Sequence, residues 1–184
     1  EMPLERAHPK QRFKKEIEHH RISHKYRFTS PFLRFWFAFV EPFSKSIREG
    51  NFLPFMDHFH EQFNAFVGFT FEELSDLYIR EILAPKWASD ILDSGSYWNR
   101  EVEIDLLTET MEGETWVGEC KWTNHKVNKK EFHKLEEKCI KLSISPDKIL
   151  LFTKRGFSNV LRDMKDKRLY RFCAEDLSVL THCL

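Results

Sequence analysis

The 184-residue sequence has few linker-forming residues and no stretch suited to a membrane span. Glycine occurs 6 times and proline 7 times, too rarely for a low-complexity linker. No apolar run reaches the roughly 18 residues that a bilayer span needs. The first residues are polar and basic, whereas a signal peptide needs an apolar stretch. With 41% hydrophobic residues, the chain suffices for one globular domain and a short accessory segment. We expect a cytoplasmic protein without a membrane partner.

Several metal, redox and nucleotide motifs are also missing. His60-Glu61 opens like the zinc-protease motif HExxH, but Asn64 stands where the second histidine must be. No GxxxxGK[ST] sequence occurs, which excludes nucleotide binding through a P-loop. No CxxC pair occurs either, so we expect reduced, mostly buried thiols at the four cysteines, which are Cys120, Cys139, Cys173 and Cys183.

The charges are balanced in number but unevenly distributed along the chain. Lysine plus arginine and aspartate plus glutamate both total 29. Residues 31–120 hold 6 basic and 17 acidic side chains, whereas residues 121–171 hold 15 basic and 6 acidic ones. This distribution indicates a basic face that could bind a polyanion, with an ordinary solvated face as the alternative.

Residues 28–69 are predicted to form a phenylalanine-rich helical segment. Ser30-Pro31 is a typical helix start, with serine as N-cap and proline at the first helical position. This first helix should end before Pro42. Its interior is almost entirely apolar, which predicts burial on most sides. Thirteen of the 18 phenylalanines lie between residues 28 and 71, an excess that indicates either a core or a docking face.

Two further helices are predicted before the first strand. The first spans residues 54–67, carries phenylalanines at i, i+4 spacing, and should stop at Gly68 in a left-handed conformation. The second should begin at the capping box Thr70-x-x-Glu73 and end before Pro85.

From residue 102 the hydrophobic period changes from 3.6 to 2, which is typical of strands. Val102, Ile104 and Leu106 alternate with Glu103, Asp105 and Leu107. After an acidic turn, residues 116–122 form the second strand of an antiparallel hairpin. The remaining predicted elements are a helix over 128–142, an apolar strand over 149–152, a helix from about 159, a strand over 169–172 and a C-terminal helix. Residues 70–184 are therefore predicted to be an α/β domain with a small mixed sheet flanked by helices.

The hairpin carries the residues with the clearest chemistry. Glu119 and Lys121 lie two positions apart, so they project from the same face of their strand. Pairing can bring Asp105 alongside them. Two adjacent carboxylates repel unless a proton or a cation lies between them, and carboxylate oxygens suit Mg²⁺. A neighbouring lysine can position a water molecule and offset phosphoryl charge. The alternative is a set of solvent-facing charges, but the apolar flanks favour buried strands.

These residues resemble the PD-(D/E)xK nuclease superfamily, whose members have the restriction-endonuclease-like fold. The resemblance rests on Glu-Ile-Asp-Leu-Leu at 103–107, Gly-Glu-Cys-Lys-Trp at 118–122 and the lysine-rich helix that follows. Ile104 replaces the proline of the superfamily's name. A closer resemblance, to the uncharacterised C-terminal domain of archaeal-type AAA/STAND ATPases, includes residues 26–40 and 67–74. The ATPase module is absent, and residues 1–27 would then be a basic tail or the remnant of a lost winged-helix segment.

The resemblance implies a restriction-endonuclease-like core and a phosphodiesterase that depends on Mg²⁺ or Mn²⁺. Its catalytic residues would be Asp105, Glu119 and Lys121. The metal would be held by the two carboxylates and the backbone carbonyl of Cys120. A fourth catalytic carboxylate would come from the preceding helix, and we assign it to Glu72 because the predicted capping box would occupy the other candidate.

Basic residues that follow the strands are predicted to contact the phosphates of a nucleic acid. They lie after the second hairpin strand, on the next helix and at the end of the apolar strand. They are Lys126, Lys129, Lys130, Lys134, Lys154 and Arg155.

The sequence therefore predicts a Mg²⁺-dependent DNA endonuclease domain. The alternative is a catalytically silent DNA-binding or regulatory module that docks on an AAA/STAND-type ATPase through the phenylalanine-rich helices. Charges retained on buried strands favour the enzyme. A homodimer is compatible with both hypotheses, and neither DNA over RNA nor the type of cleavage site follows from the sequence.

Overall fold

The alternating segments form a five-stranded mixed sheet in the computed structural model, which describes residues 28–182. The strands are β1 (Ile91–Trp98), β2 (Glu103–Thr110), β3 (Thr115–Lys121), β4 (Lys148–Thr153) and β5 (Leu169–Cys173). They lie side by side in the order β1-β2-β3-β4-β5. The first three are antiparallel, and β3, β4 and β5 run parallel. The predicted mixed α/β architecture is confirmed, whereas the predicted segment 1–27 and Cys183 lie outside the described residues.

Helices precede the sheet and form the crossovers between its parallel strands. They are α1 (Pro31–Phe35), α2 (Ser44–Arg48), α3 (Leu53–Tyr78), α4 (Ala84–Lys86), α5 (Lys129–Lys141) and α6 (Asn159–Arg162). The π-helical turns Trp36–Val40 and Ile79–Leu83 and the 3-10 helices Glu41–Phe43 and Ala174–His182 complete the set. Within residues 28–182, no helix combines the length and the apolar character needed to cross a lipid bilayer.

Both faces of the sheet are covered by apolar side chains. Phe132 and Leu135 of α5 and Leu161 of α6 pack in one core. Phe71 and Tyr78 of α3 pack in the other core, with the C-terminal 3-10 helix. Successive β4 residues alternate between these cores and are buried throughout most of the strand. This confirms the prediction that the apolar strand is covered on both sides.

β1 is a strand that the sequence does not predict. Its centre, Asp-Ser-Gly-Ser, has almost no apolar alternation, so periodicity gives no strand signal. The sheet accommodates it because Ser94 finds polar partners: its hydroxyl bonds Thr108 at 2.9 Å and also bonds Asp76. A buried polar position is therefore satisfied inside the fold.

The described residues form two compact units, residues 28–67 and residues 68–182. In the first unit, the buried ring of Phe39 contacts the rings of Phe35, Phe59, Phe63 and Phe66 at centroid distances of 5.3, 5.3, 6.3 and 5.1 Å. These contacts form the small aromatic core of that unit.

The prediction that the first helix is buried on most sides is wrong for the described chain. Phe32 is 65% exposed and Phe37 is 46% exposed. Among the residues of α1 and its π-helical turn, only Phe39 is fully buried. The predicted start is confirmed, since Ser30 caps the helix and Pro31 is its first residue. The predicted end before Pro42 is also confirmed, because the π-helical turn ends at Val40. Pro42 lies in the first turn of a 3-10 helix, where its missing N–H costs nothing.

The predicted break at Gly68 is also wrong, because α3 runs without interruption from Leu53 to Tyr78. Gly68 keeps a helical backbone instead of the left-handed conformation of a C-terminal cap. Thr70 is then in a helix interior, so the predicted capping box does not form. The predicted helix end before Pro85 is confirmed, because the π-helical turn ends at Leu83. Pro85 then lies in the first turn of α4, which begins at Ala84.

Candidate active site

A β-bulge in β2 sets the position of Asp105. Gly95 of β1 pairs with Leu107, and Tyr97 of β1 pairs with Ile104. Between these two pairs β2 advances by three residues and β1 by two, so β2 contains one extra residue. Ile104 and Leu107 consequently belong to the same core. The strict alternation predicted for this strand is therefore wrong at this point, and Asp105 lies within the irregularity. Bulges are common beside functional sites because they redirect a side chain.

The carboxylate of Asp105 is tied to β3. Its Oδ2 accepts a hydrogen bond of 2.8 Å from the N–H of Cys120. Cys120 lies two residues after Gly118, which pairs with Leu106 of β2. The N–H and C=O of one residue point to the same side of a strand, so the Cys120 carbonyl also faces the Asp105 side. Within residues 28–182, Oδ1 of Asp105 accepts no hydrogen bond, which leaves one carboxylate oxygen available to a ligand.

Glu119 is buried between two lysines. Its side chain is 7% exposed. Lys121 donates to Oε1 at 2.6 Å and Lys138 of α5 donates to Oε2 at 2.6 Å. Each carboxylate oxygen thus has an ammonium partner, which satisfies a charge that would otherwise be costly to bury.

The two ion pairs extend into a chain of alternating charges along α5. Lys121 Nζ lies 3.9 Å from Oε2 of Glu131, whose Oε1 accepts a hydrogen bond of 2.8 Å from Lys134. The order of charges is Lys134, Glu131, Lys121, Glu119 and Lys138. Three lysines therefore surround two glutamates, so the chain has one excess positive charge close to Asp105.

Electrostatics distinguish Asp105 from its neighbours. Burial, and next the charge of Glu119, raise the pKa of Asp105 from 3.8 to about 6. Burial alone would lower the pKa of Lys121, but the ion pair with Glu119 outweighs it and the pKa is raised. Burial also raises the pKa of the Cys120 thiol well above its usual range. The thiol therefore stays protonated and apolar, while Lys121 stays charged.

The oxygen donors of this site fit a hard divalent cation. Across residues 28–182, no group of three or more His, Cys, Asp or Glu side chains is arranged to hold a metal. The available donors are the carboxylates of Asp105 and Glu119 and the carbonyl of Cys120, and water would complete the coordination as it commonly does for Mg²⁺. A cation would also relieve the repulsion that raises the pKa of Asp105.

Glu72 lies near this site, but the reason for assigning it as the fourth catalytic carboxylate is wrong. It is on α3 and is half-buried, and its charge contributes to raising the pKa of the Cys120 thiol, after burial and Asp105. It was preferred to Glu73 because a capping box was expected to occupy the latter, and that box does not form. Glu73 is half-buried as well, so the choice between the two stays a prediction.

The predicted basic residues lie where the parallel strands β3 and β4 end. The loops that follow these strands are joined by backbone hydrogen bonds from Val127 N–H to the Gly156 carbonyl, 3.0 Å, and from Ser158 N–H to the Val127 carbonyl, 2.8 Å. Carboxyl ends of parallel strands are the usual ligand-binding edge of an open α/β sheet. Lys121 is the last residue of β3 and lies at this same edge.

The predicted basic residues differ in how free their charges are. The ammonium of Lys154 lies 4.8 Å from the ring centroid of Trp122 and donates to Asn124 at 3.0 Å. Lys134 is paired with Glu131. The others are exposed in the loops or in the first turn of α5, and they are Lys126, Lys129, Lys130 and Arg155.

Sequence reasoning missed Lys138 and Glu131, which both contact the predicted triad. Their only sequence signal is helical spacing, because positions 131, 134 and 138 lie on one face of α5. That face borders the site because Asn128 caps α5 and its buried residues Phe132, Leu135 and Cys139 fix its rotation.

The sequence model of the DUF234 family, described as archaeal and bacterial proteins of unknown function, matches residues 36–135. This match spans more than half of the chain and includes Asp105, Glu119 and Lys121. No curated protein and no solved structure matches the chain.

Proposed function

The chain belongs to the DUF234 family of archaeal and bacterial proteins, and we propose that it is a Mg²⁺-dependent DNA endonuclease domain that cleaves phosphodiester bonds. Mn²⁺ would substitute for Mg²⁺ because both ions prefer carboxylate and carbonyl oxygens. A cytoplasmic setting, with DNA as partner, is part of the proposal.

One observation carries the proposal: two carboxylates and a lysine converge at the carboxyl end of β3. Asp105 bonds the residue between Glu119 and Lys121, and the raised pKa of Asp105 results first from burial and then from Glu119. Unlike Glu119, Asp105 has no ammonium group at ion-pair distance among residues 28–182, and its pKa is raised to about 6. Perturbed groups of this kind are concentrated at functional sites.

The order of the strands supports a restriction-endonuclease-like fold. Three antiparallel strands carry the Asp105 and Glu119 positions, and the crossover helix α5 then leads into parallel β4. The PD-(D/E)xK pattern resembles this arrangement of acidic residues on adjacent strands with a lysine two positions further. We assign the fold on these two features together.

Hydrolysis would form a bond from a water oxygen to phosphorus while the ester P–O bond breaks. The water gives up one proton, and the leaving oxygen gains one from solvent. When bound, Mg²⁺ would supply Lewis-acid stabilisation of the phosphoryl charge. Lys121 would orient the attacking water and offset negative charge. Asp105, Glu119 and the Cys120 carbonyl would hold the ion.

A plasmid-nicking assay in Mg²⁺ or Mn²⁺ tests the proposal. We expect Lys121→Met to reduce the cleavage rate at least 100-fold while calorimetry still detects cation binding, because the lysine is not a ligand. Asp105→Asn should abolish both. Glu137→Gln and Lys141→Met, on exposed positions of α5, are matched controls that should leave both unchanged. Wild-type protein that cleaves no DNA with either ion would refute the endonuclease.

A second candidate function is favoured by the surface of residues 28–67. Large apolar side chains are exposed there, among them Phe28, Phe32, Trp36, Phe37, Phe52 and Leu53. Patches of this kind mark interaction sites. The chain would then be a regulatory or DNA-binding module docked on an AAA/STAND-type ATPase. Binding to a purified ATPase domain of that type, lost in Trp36→Ser but kept in Lys121→Met, would support docking, and binding unchanged in Trp36→Ser would contradict it.

A further inference from the structure

Among residues 28–182, Lys138 is the one ionic partner of the Glu119 side chain that lies outside the β2–β3 hairpin. It reaches from α5 to Oε2 of Glu119 at 2.6 Å, and Lys121 holds the other oxygen at the same distance. A divalent cation that uses Glu119 must take one oxygen and displace one lysine. The two lysines are about equally exposed, 29% for Lys121 and 27% for Lys138, so exposure does not decide which one leaves.

A second acidic partner distinguishes the two lysines. Lys121 Nζ is already 3.9 Å from Oε2 of Glu131, so it keeps a carboxylate partner after it leaves Glu119. Lys138 pairs with Glu119 and with no other acidic group of the described chain. Losing that contact would leave the partly buried Lys138 ammonium with no carboxylate at ion-pair distance among residues 28–182 and with only the longer-range charge of Asp105, which is unfavourable. Lys121 is therefore the lysine that moves, and Lys138 is the one that stays.

We infer that Lys138 is a positioning residue that keeps Oε2 of Glu119 occupied, so that Glu119 offers a divalent cation only Oε1. A single carboxylate oxygen suits Mg²⁺, which is small and requires near-ideal octahedral geometry. Ca²⁺ is larger, takes six to eight ligands and readily accepts both oxygens of one carboxylate. Lys138 would thereby favour Mg²⁺ over Ca²⁺. This inference rests on the proposed metal site and adds a determinant of its ion preference.

The test compares calorimetric Kd values for Mg²⁺ alone and for Ca²⁺ alone in the full chain. In Lys138→Met the ammonium is lost and the apolar stem is kept, and we expect the preference for Mg²⁺ over Ca²⁺ to fall about tenfold. The ratio is the measured quantity because removing a positive charge strengthens binding of both ions. Lys138→Arg should retain the wild-type ratio, since a guanidinium can hold the same oxygen. Lys141→Met, three residues further along α5, is the control.

Cleavage provides a second measurement. With DNA as substrate, kcat of Lys138→Met should fall about tenfold while KM stays unchanged, because Lys138 contacts a metal ligand and not the substrate. Thermal unfolding must first show that each variant is folded, and Lys138→Gln replaces Lys138→Met if the latter is not.

The outcomes separate this inference from the proposed function. A ratio in Lys138→Met equal to that in Lys141→Met overturns the role of Lys138, even if the wild type cleaves DNA. If Lys138→Met changes the ratio of the two Kd values tenfold while the wild-type protein cleaves no DNA, the role of Lys138 is supported and only the endonuclease is refuted. Wild-type protein that binds neither ion overturns both.

Discussion

At the scale of single residues, Asp105 and Glu119 are carboxylates in very different surroundings. Glu119 is the more buried of the two, but two ammonium groups neutralise it. Asp105 has one backbone hydrogen bond and faces the charge of Glu119, so it carries the repulsion of the pair. Burial and the charge of Glu119 thus both disfavour the ionised form of Asp105 in the folded protein.

Asp105→Asn should therefore stabilise the metal-free protein near pH 7.5. The pKa of Asp105 is raised from 3.8 to about 6, so the folded state favours the neutral form. Folding stability is lost as pH rises from about 4 through about 6, and the full loss is at most about 3 kcal/mol. The amide removes this loss and can still accept the Cys120 N–H. Urea unfolding in EDTA should show a variant more stable by about 1–3 kcal/mol at pH 7.5 and no advantage at pH 4.

Asp163→Asn is the control for this experiment, since Asp163 is exposed and lies in the loop after α6. Its stability should track the wild type at every pH. An Asp105→Asn advantage of equal size at pH 4 and pH 7.5 would show that the gain does not arise from the carboxylate charge.

Gly118 lies where β2, β3 and β4 approach too closely for a larger side chain. A Cβ there would lie 3.0 Å from both Cβ and Cδ1 of Leu106 and 3.3 Å from the backbone oxygen of Leu150. Gly118→Ala should therefore force β2 away from β3, and overpacking of this kind costs about 1–3 kcal/mol. Urea unfolding measures the loss. Because Leu106 and Asp105 are neighbours, we also expect weaker cation binding, and unchanged stability would contradict the close approach of the strands.

At the scale of elements, the sequence predicted β2 to β5 and α5 because each carries apolar residues that are buried in one of the two cores. The predicted helix over 128–142 is confirmed as α5, Lys129–Lys141. Local signals failed where packing overrode them. Gly68 and Thr70 resemble helix boundaries, yet α3 continues through them because apolar residues on both sides pack. The bulge at Asp105 has only a weak signal, the adjacent pair Leu106-Leu107.

The interior glycine of α3 leads to a prediction opposite in sign to that for Gly118. A Cβ at Gly68 would meet nothing within 4 Å, and the backbone there is helical. Gly68→Ala should stabilise the protein by about 0.5–1 kcal/mol, since alanine loses less backbone entropy in a helix. Urea unfolding checks it. A destabilised Gly68→Ala would mean that the helix is interrupted at this position after all.

The site itself was predicted as far as residues of the hairpin allow. The common face of Glu119 and Lys121 follows from strand periodicity, whereas the position of Asp105 depends on the bulge in β2, which periodicity does not predict. Lys138 and Glu131 could not be assigned, because the rotation of α5 about its axis depends on packing against the sheet. The preference for Glu72 over Glu73 depended on a capping box, a local feature that the long helix removes.

At the scale of the whole molecule, part of the basic segment 121–171 lies at one edge of the sheet, where β3 and β4 end. The basic loops after β3 and β4 are bonded to each other and lie beside Lys121. Phosphate contacts there would place a nucleic acid backbone against Asp105 and Glu119. Lys86 and Lys167, by contrast, are exposed and precede β1 and β5, so they belong to the opposite edge.

Salt dependence of DNA binding distinguishes a phosphate-binding edge from a merely solvated one. Each neutralised phosphate contributes about 0.9 to the slope of log K against log salt concentration. The double variant Lys126→Ala, Arg155→Ala should therefore bind duplex DNA more weakly and reduce that slope by about 1.8. The double variant Lys86→Ala, Lys167→Ala removes the same charge from the opposite edge and should leave the slope unchanged. Fluorescence anisotropy from low to moderate salt measures both, in EDTA so that no cleavage occurs. Equal slopes in the two double variants would show that net charge, and not the edge that carries Lys121, attracts the nucleic acid.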